Sequence, residues 1–168
     1  MKRTRTKRDR RPIQDQCRKV QAAILEKVAQ EYEFEVAKIG NFHFAVHAAN
    51  TRSMATLRRI TQEAEPGTNT CVAALALAVF GMNLYDEAHE TLMLNTDRVV
   101  GQAVETGAGH FEIKFTHAPS MNMINKVATA RESTHAEALS VLMKGAAAAL
   151  EIHETVRETE TGRRTPIH

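Results

Sequence analysis

The chain has 168 residues, 43% of them hydrophobic and 25% charged, with two cysteines and no tryptophan. A domain of that order buries about 70% of the surface its unfolded chain exposes, so neither a disulfide framework nor a structural metal is required to hold it. The net charge of +2 conceals a split: residues 1–11 hold seven Lys or Arg and one Asp, net +6, whereas the rest holds fifteen basic and nineteen acidic residues, net −4.

The basic run MKRTRTKRDRR ends at Pro12, a residue favoured in the first turn of a helix because its missing N–H would be unsatisfied there anyway. Beyond it Ile13, Cys17, Val20, Ile24, Val28 and Tyr32 recur every three or four residues, which predicts a helix from Pro12 to Glu31. No apolar segment follows the basic residues, so no secretory signal is expected.

The period then changes to two. Phe34 and Val36, then Phe42, Phe44 and Val46 past the Gly40-Asn41 turn signal, predict a β-hairpin over 32–47. Helices are expected from Arg52 to Glu65, stopped by Pro66-Gly67, and from Val72 to Leu84, capped by Asn69 or Thr70. The second is apolar nearly all round and reads as the central helix. Its apolar run from Cys71 to Tyr85 is shorter than the roughly 20 residues that span a bilayer. Asn95-Thr96-Asp97 reads as the cap of a shorter helix ending at Gly107-Ala108-Gly109.

A third strand follows at 110–116, with Phe111, Ile113 and Phe115 on one face and His110, Glu112, Lys114 and Thr116 on the other. After Pro119 the helical pattern lapses between Arg131 and His135, where Thr134-His135-Ala136-Glu137 has the form of a capping box. A last helix, ending before Gly162, offers Ala146 to Ala149 for close approach of another helix, from this chain or a second subunit. No repeat of 20 to 50 residues is visible. The expectation is an α+β fold: a three-stranded sheet covered on one face by five or six helices, in a single domain at 12–160 between a flexible arm at 1–11 and a tail at 161–168.

Four groups of residues are candidates for function. Lys2, Arg3, Arg5, Lys7, Arg8, Arg10 and Arg11 form a phosphate-neutralising arm, and Arg52 and Arg59, two helical turns apart, share a face that extends it, with Arg58, Arg18 and Lys19 nearby. No aromatics are interleaved with these cations, so a stacking platform for single strands is not indicated. His43, His47 and His110 are candidate metal ligands on the polar sheet face, beside Glu33, Glu35, Glu112 and Lys114. His43 and His47 are roughly 13 Å apart along one strand, however, so an ion would need partners from neighbouring strands. The Gly107-Ala108-Gly109 turn lacks any phosphate-cradling motif, and Ser120 and Ser133 read as helix caps. Cys17 and Cys71 lack a CxxC spacing and read as buried thiols of a reducing, cytoplasmic compartment.

These features predict a non-enzymatic accessory protein, of a kind met among small phage proteins, without a cofactor. Its basic arm binds nucleic acid or another polyanion through phosphates, its acidic body binds a protein partner or a second copy, and no membrane is involved. Two other readings use the same residues: a small enzyme working through the His/Glu sheet face, and a structural or inhibitory module that occupies a partner's surface.

Overall fold

A computed structural model describes residues 23–63, 69–89 and 100–164. The arm, Cys17, Arg18, Lys19 and the cap expected at 95–97 lie outside the described residues. The fold is α+β, as the periodicities predict. A helical segment at 23–29 (α1) leads into β1 (Phe34–Gly40) and β2 (His43–Ala48). Helices α2 (Thr51–Glu63) and α3 (Thr70–His89) follow, then β3 (Gly101–Gly107), β4 (His110–Phe115), α4 (Ala118–Ala130) and α5 (His135–Arg164).

The sheet has four antiparallel strands in the order β1-β2-β4-β3, not three. The additional strand is β3, where a helix ending at the Gly107-Ala108-Gly109 turn was expected. Its inward residues, Gly101 and Ala103, are too small to give the alternation that marks the other strands. They are small because the space is taken. A Cβ on Gly101 would overlap the Lys114 carbonyl oxygen, and the Cys71 thiol donates to the Ala103 carbonyl oxygen at 3.5 Å. Phe42 also departs from expectation: it lies in the turn before β2, with φ 51°.

The two halves of the chain repeat one another. Every element from β1 to α2 has a counterpart beginning and ending 67 residues later: 34–40 with 101–107, 43–48 with 110–115, and 51–63 with 118–130. Both hairpins carry a bulge at the same place, between Lys38 and Gly40 and between Glu105 and Gly107. Both turns use a left-handed residue, Phe42 or Gly109, at the same place. The β2–β4 register maps onto itself, since His43–Lys114 becomes His47–His110 and Phe44–Ile113 becomes Val46–Phe111. A local pseudo-twofold axis therefore passes through the Ala45–Glu112 pair. Few side chains repeat, but those that do have structural work. Gly40 and Gly107 each lie across the ladder from a histidine, His43 or His110. Phe44 and Phe111 face the core, and Ser53 and Ser120 are the buried polar residues of the described chain.

All five described helices contribute to covering one sheet face. Phe34, Phe44, Val46, Phe111, Ile113 and Phe115 are at most 2% exposed, each contributing roughly 1.5–3 kcal/mol by burial. Ser53 is satisfied locally: its Oγ accepts from the Glu33 N–H at 2.8 Å, and its own N–H donates to Oδ1 of Asn50, which caps α2. Asn69 caps α3 by accepting from the Val72 N–H. The Thr134 capping box forms as predicted, with the Glu137 N–H donating to Thr134 Oγ1 and the Thr134 N–H to Glu137 Oε2. Helix α5 runs through Gly162 to Arg164, beyond its expected end.

Helices α3 and α5 pack tightly where a Cβ on Gly81 would overlap the backbone at Leu142. Ala146, Ala147 and Ala148 of α5 are buried within the same chain's core. Gly81→Ala is expected to destabilise the fold by about 1–3 kcal/mol in urea unfolding, because the added methyl meets backbone. Gly145→Ala, where the methyl meets nothing within 4 Å, is expected to stabilise it by about 0.5–1 kcal/mol through helix propensity alone.

Candidate functional site

Among the described residues no helix covers the outer face of the sheet, and the register groups its side chains in rows. Glu35, His47 and His110 stand side by side at one end; Ala37, Ala45, Glu112 and Val104 form the middle row; His43, Lys114 and Gln102 stand at the other end. Glu33, expected among them, precedes β1 and spends its N–H on Ser53.

The histidines fall into two arrangements. His47 stacks on His110, with ring centroids 4.0 Å apart and planes within 5° of parallel, and its Nδ1 lies 3.2 Å from Glu35 Oε2. The lone pairs of stacked imidazoles lie in parallel planes and do not converge on an ion between them. His43 is held apart, its Nε2 3.7 Å from Glu112 Oε2. Among the described residues no three His, Cys, Asp or Glu side chains gather as a metal site. The stacked pair instead borders a shallow cleft of about 270 Å³ beside Glu35 and Thr106.

Arg52 and Arg59 do share a face of α2, and both meet carboxylates there. Arg52 bridges Glu31, at 2.7 Å, and Glu151 of α5, with its guanidinium 5.5 Å from the centre of the Tyr32 ring. Arg59 pairs with Glu154, one turn further along α5. The Glu151 hydrogen bond, followed by that of Tyr32, holds Arg52 still more firmly protonated than an ordinary arginine. A phosphate approaching either guanidinium has to displace a glutamate.

A larger cleft, of about 500 Å³, opens where β1 meets the α4–α5 junction. Its walls include Lys38, Asn125, Thr129, Glu132, Ser133 and His135. The His135 ring stacks on Phe42, centroids 5.1 Å apart, and its Nδ1 lies 3.5 Å from Lys38 Nζ. Burial first, and the Lys38 charge second, lower its pKa below the ordinary 6.5. No sequence signal marked this cleft, because Lys38 and His135 are 97 residues apart and the capping box around His135 announces a helix start, not a site.

Among the described residues no helix is long and apolar enough to cross a membrane. Comparison with family models, with curated proteins and with solved structures finds no match to this chain.

Because folding lowers the affinity of His135 for a proton, its contribution to stability is intact above about pH 6.5. That contribution falls as the pH drops from there toward the lowered folded value. Urea midpoints measured between about pH 7.5 and 5 should decline, and His135→Gln should make that decline shallower.

Proposed function

We propose that the protein is a non-enzymatic accessory protein that binds nucleic acid or a comparable polyanion through the phosphates. The arm supplies the contacts, and the acidic body takes part in self-association or holds a protein partner. The observation that carries this reading is the concentration of seven basic residues in the first eleven against a body of net −4. The ion pairs of Arg52 and Arg59 bear on it, since both guanidiniums already meet glutamates, which makes those two arginines secondary contacts. Neutralising phosphates with Lys and Arg releases condensed counterions, so affinity falls steeply with salt and tolerates changes in sequence.

The test compares the full chain with residues 12–168 on duplex and single-stranded oligonucleotides at several salt concentrations. The full chain is expected to bind with a log–log salt slope of about −0.9 per duplex phosphate contacted, and the shortened chain to lose most of that slope. Equal, weak binding by both would remove the proposal.

A second reading, general-base chemistry on the sheet face, is favoured by one specific contact, that of Glu35 Oε2 with His47 Nδ1. With Nδ1–H donated to the carboxylate, His47 Nε2 is left as an acceptor for a substrate proton. On this reading His47→Gln abolishes turnover in a substrate screen while leaving oligonucleotide binding unchanged; activity surviving the substitution would eliminate it.

A further inference from the structure

We propose that the cleft walled by Lys38, Asn125, Thr129, Glu132, Ser133 and His135 binds a small phosphate monoester carried on a hydroxyl-bearing group, such as a sugar phosphate or a nucleotide. None of these residues belongs to the arm, and the site does not depend on the reading of the arm as a polyanion hook.

The first argument is where backbone strain is kept. Two residues other than glycine have a left-handed backbone among those described, Phe42 and Glu132, each with φ 51°. Holding an L-residue there costs about 1–2 kcal/mol relative to glycine. Neither turn demands the side chain it carries. Phe42 stands where the other hairpin has Gly109, and Glu132 follows α4 in the helix-ending position that glycine usually fills, with the Ser133 N–H returning to the Ala128 carbonyl oxygen at 2.9 Å. Both side chains serve this one cleft: Glu132 lines it, and Phe42 holds the His135 ring against it. Strain concentrated in this way is characteristic of binding and catalytic sites.

The second argument is electrostatic. Lys38 has no carboxylate within ion-pair reach among the described residues, and the group it faces is a second base, His135. Lys38 Nζ and His135 Nδ1 are at hydrogen-bond distance, 3.5 Å, and an anion beside them would meet the ammonium's remaining N–H donors. The hairpin does not require a lysine there, because its counterpart in the other half is Glu105. The Asn125 amide and the Thr129 hydroxyl add donors, and the Ser133 hydroxyl, which donates to the Thr134 carbonyl oxygen at 3.5 Å, could turn to add another, a set suited to the three terminal oxygens of a phosphate monoester. Glu132 provides an acceptor for a ligand hydroxyl and disfavours an extended polyanion. The cleft's volume lies in the range of ordinary small-ligand sites. The start of α5 is already occupied by the Thr134–Glu137 capping box, so the site does not rest on a helix end.

The experiment follows the His135 ring resonances of the full chain, assigned with His135→Gln, during titration with glycerol phosphate, adenosine monophosphate, inorganic phosphate and acetate. Repeating the titration on residues 12–168 separates any response that comes from the arm. The expected result is a saturable shift with the two esters, a weaker one with inorganic phosphate and none with acetate. Lys38→Gln is expected to weaken ester binding about tenfold, and Lys38→Arg less. Glu132→Gly, which relieves the strained turn, is expected to raise stability yet weaken the esters more than inorganic phosphate. An equal response to all four anions, no saturable shift, or unchanged affinity in Lys38→Gln would overturn the proposal.

Discussion

The antiparallel pairing of β2 with β4 joins the two hairpins into one sheet, and the helical cover follows from it. Each hairpin alone would be two strands with an apolar face, which water does not sustain. Pairing Phe44 with Ile113 and Val46 with Phe111 aligns the two apolar faces and gives the helices a common floor. A slip of one residue would put the Phe44–Val46 and Phe111–Ile113 sets on opposite faces, so that one of them lost its cover, and the register is therefore fixed by the same burial that makes the core. The close packing of α3 on α5 at Gly81 closes the opposite side of that core with helices from the two halves.

A fold built twice in one chain separates what the fold needs from what it merely accommodates. Glycine at the bulge, histidine opposite it, phenylalanine next and a buried serine early in the following helix all recur, so each has a structural explanation. His43 and His110, which sequence reasoning singled out as chemical candidates, belong to this class through their place across from Gly40 and Gly107. The differences carry more information. Lys38 faces Glu105 across the pseudo-axis, His47 corresponds to Lys114, Glu35 to Gln102 and Phe42 to Gly109. The fold accepts either member of each pair, so the ones present reflect another requirement. Lys38 and Phe42 meet at His135, and Glu35 and His47 meet at the stacked histidines.

The parts of this architecture that a reader of the sequence can see are those with large periodic side chains or explicit punctuation. The alternation of Phe111, Ile113 and Phe115, the all-round apolar central helix and the Thr134–Glu137 box each announce themselves, and each lies where expected. Strand β3 is hidden because close backbone packing selects Gly101 and Ala103, which are too small to give a visible alternation. The 67-residue repeat is hidden because the halves share a backbone path and few residues, and its length exceeds the repeats that solenoid patterns prompt one to seek. The Lys38–His135 cleft is hidden for a third reason, since it is made by tertiary contact between segments 97 residues apart whose local signals, a turn and a capping box, say nothing of each other. Acidic Glu151 and Glu154 likewise reach Arg52 and Arg59 from almost a hundred residues away, so charge counted along the chain gives no view of charge neutralised in space.

The central structural claim is that the two halves share one core across β2 and β4 and do not open separately. Native-state hydrogen exchange tests it most directly, through the amides of Phe44, Val46, Phe111 and Ile113 as denaturant is raised. The account predicts that protection in both hairpins merges into one global unfolding, with matching free energies and matching denaturant dependence. Exchange of one hairpin through a smaller, separate opening while the other remained protected would contradict it.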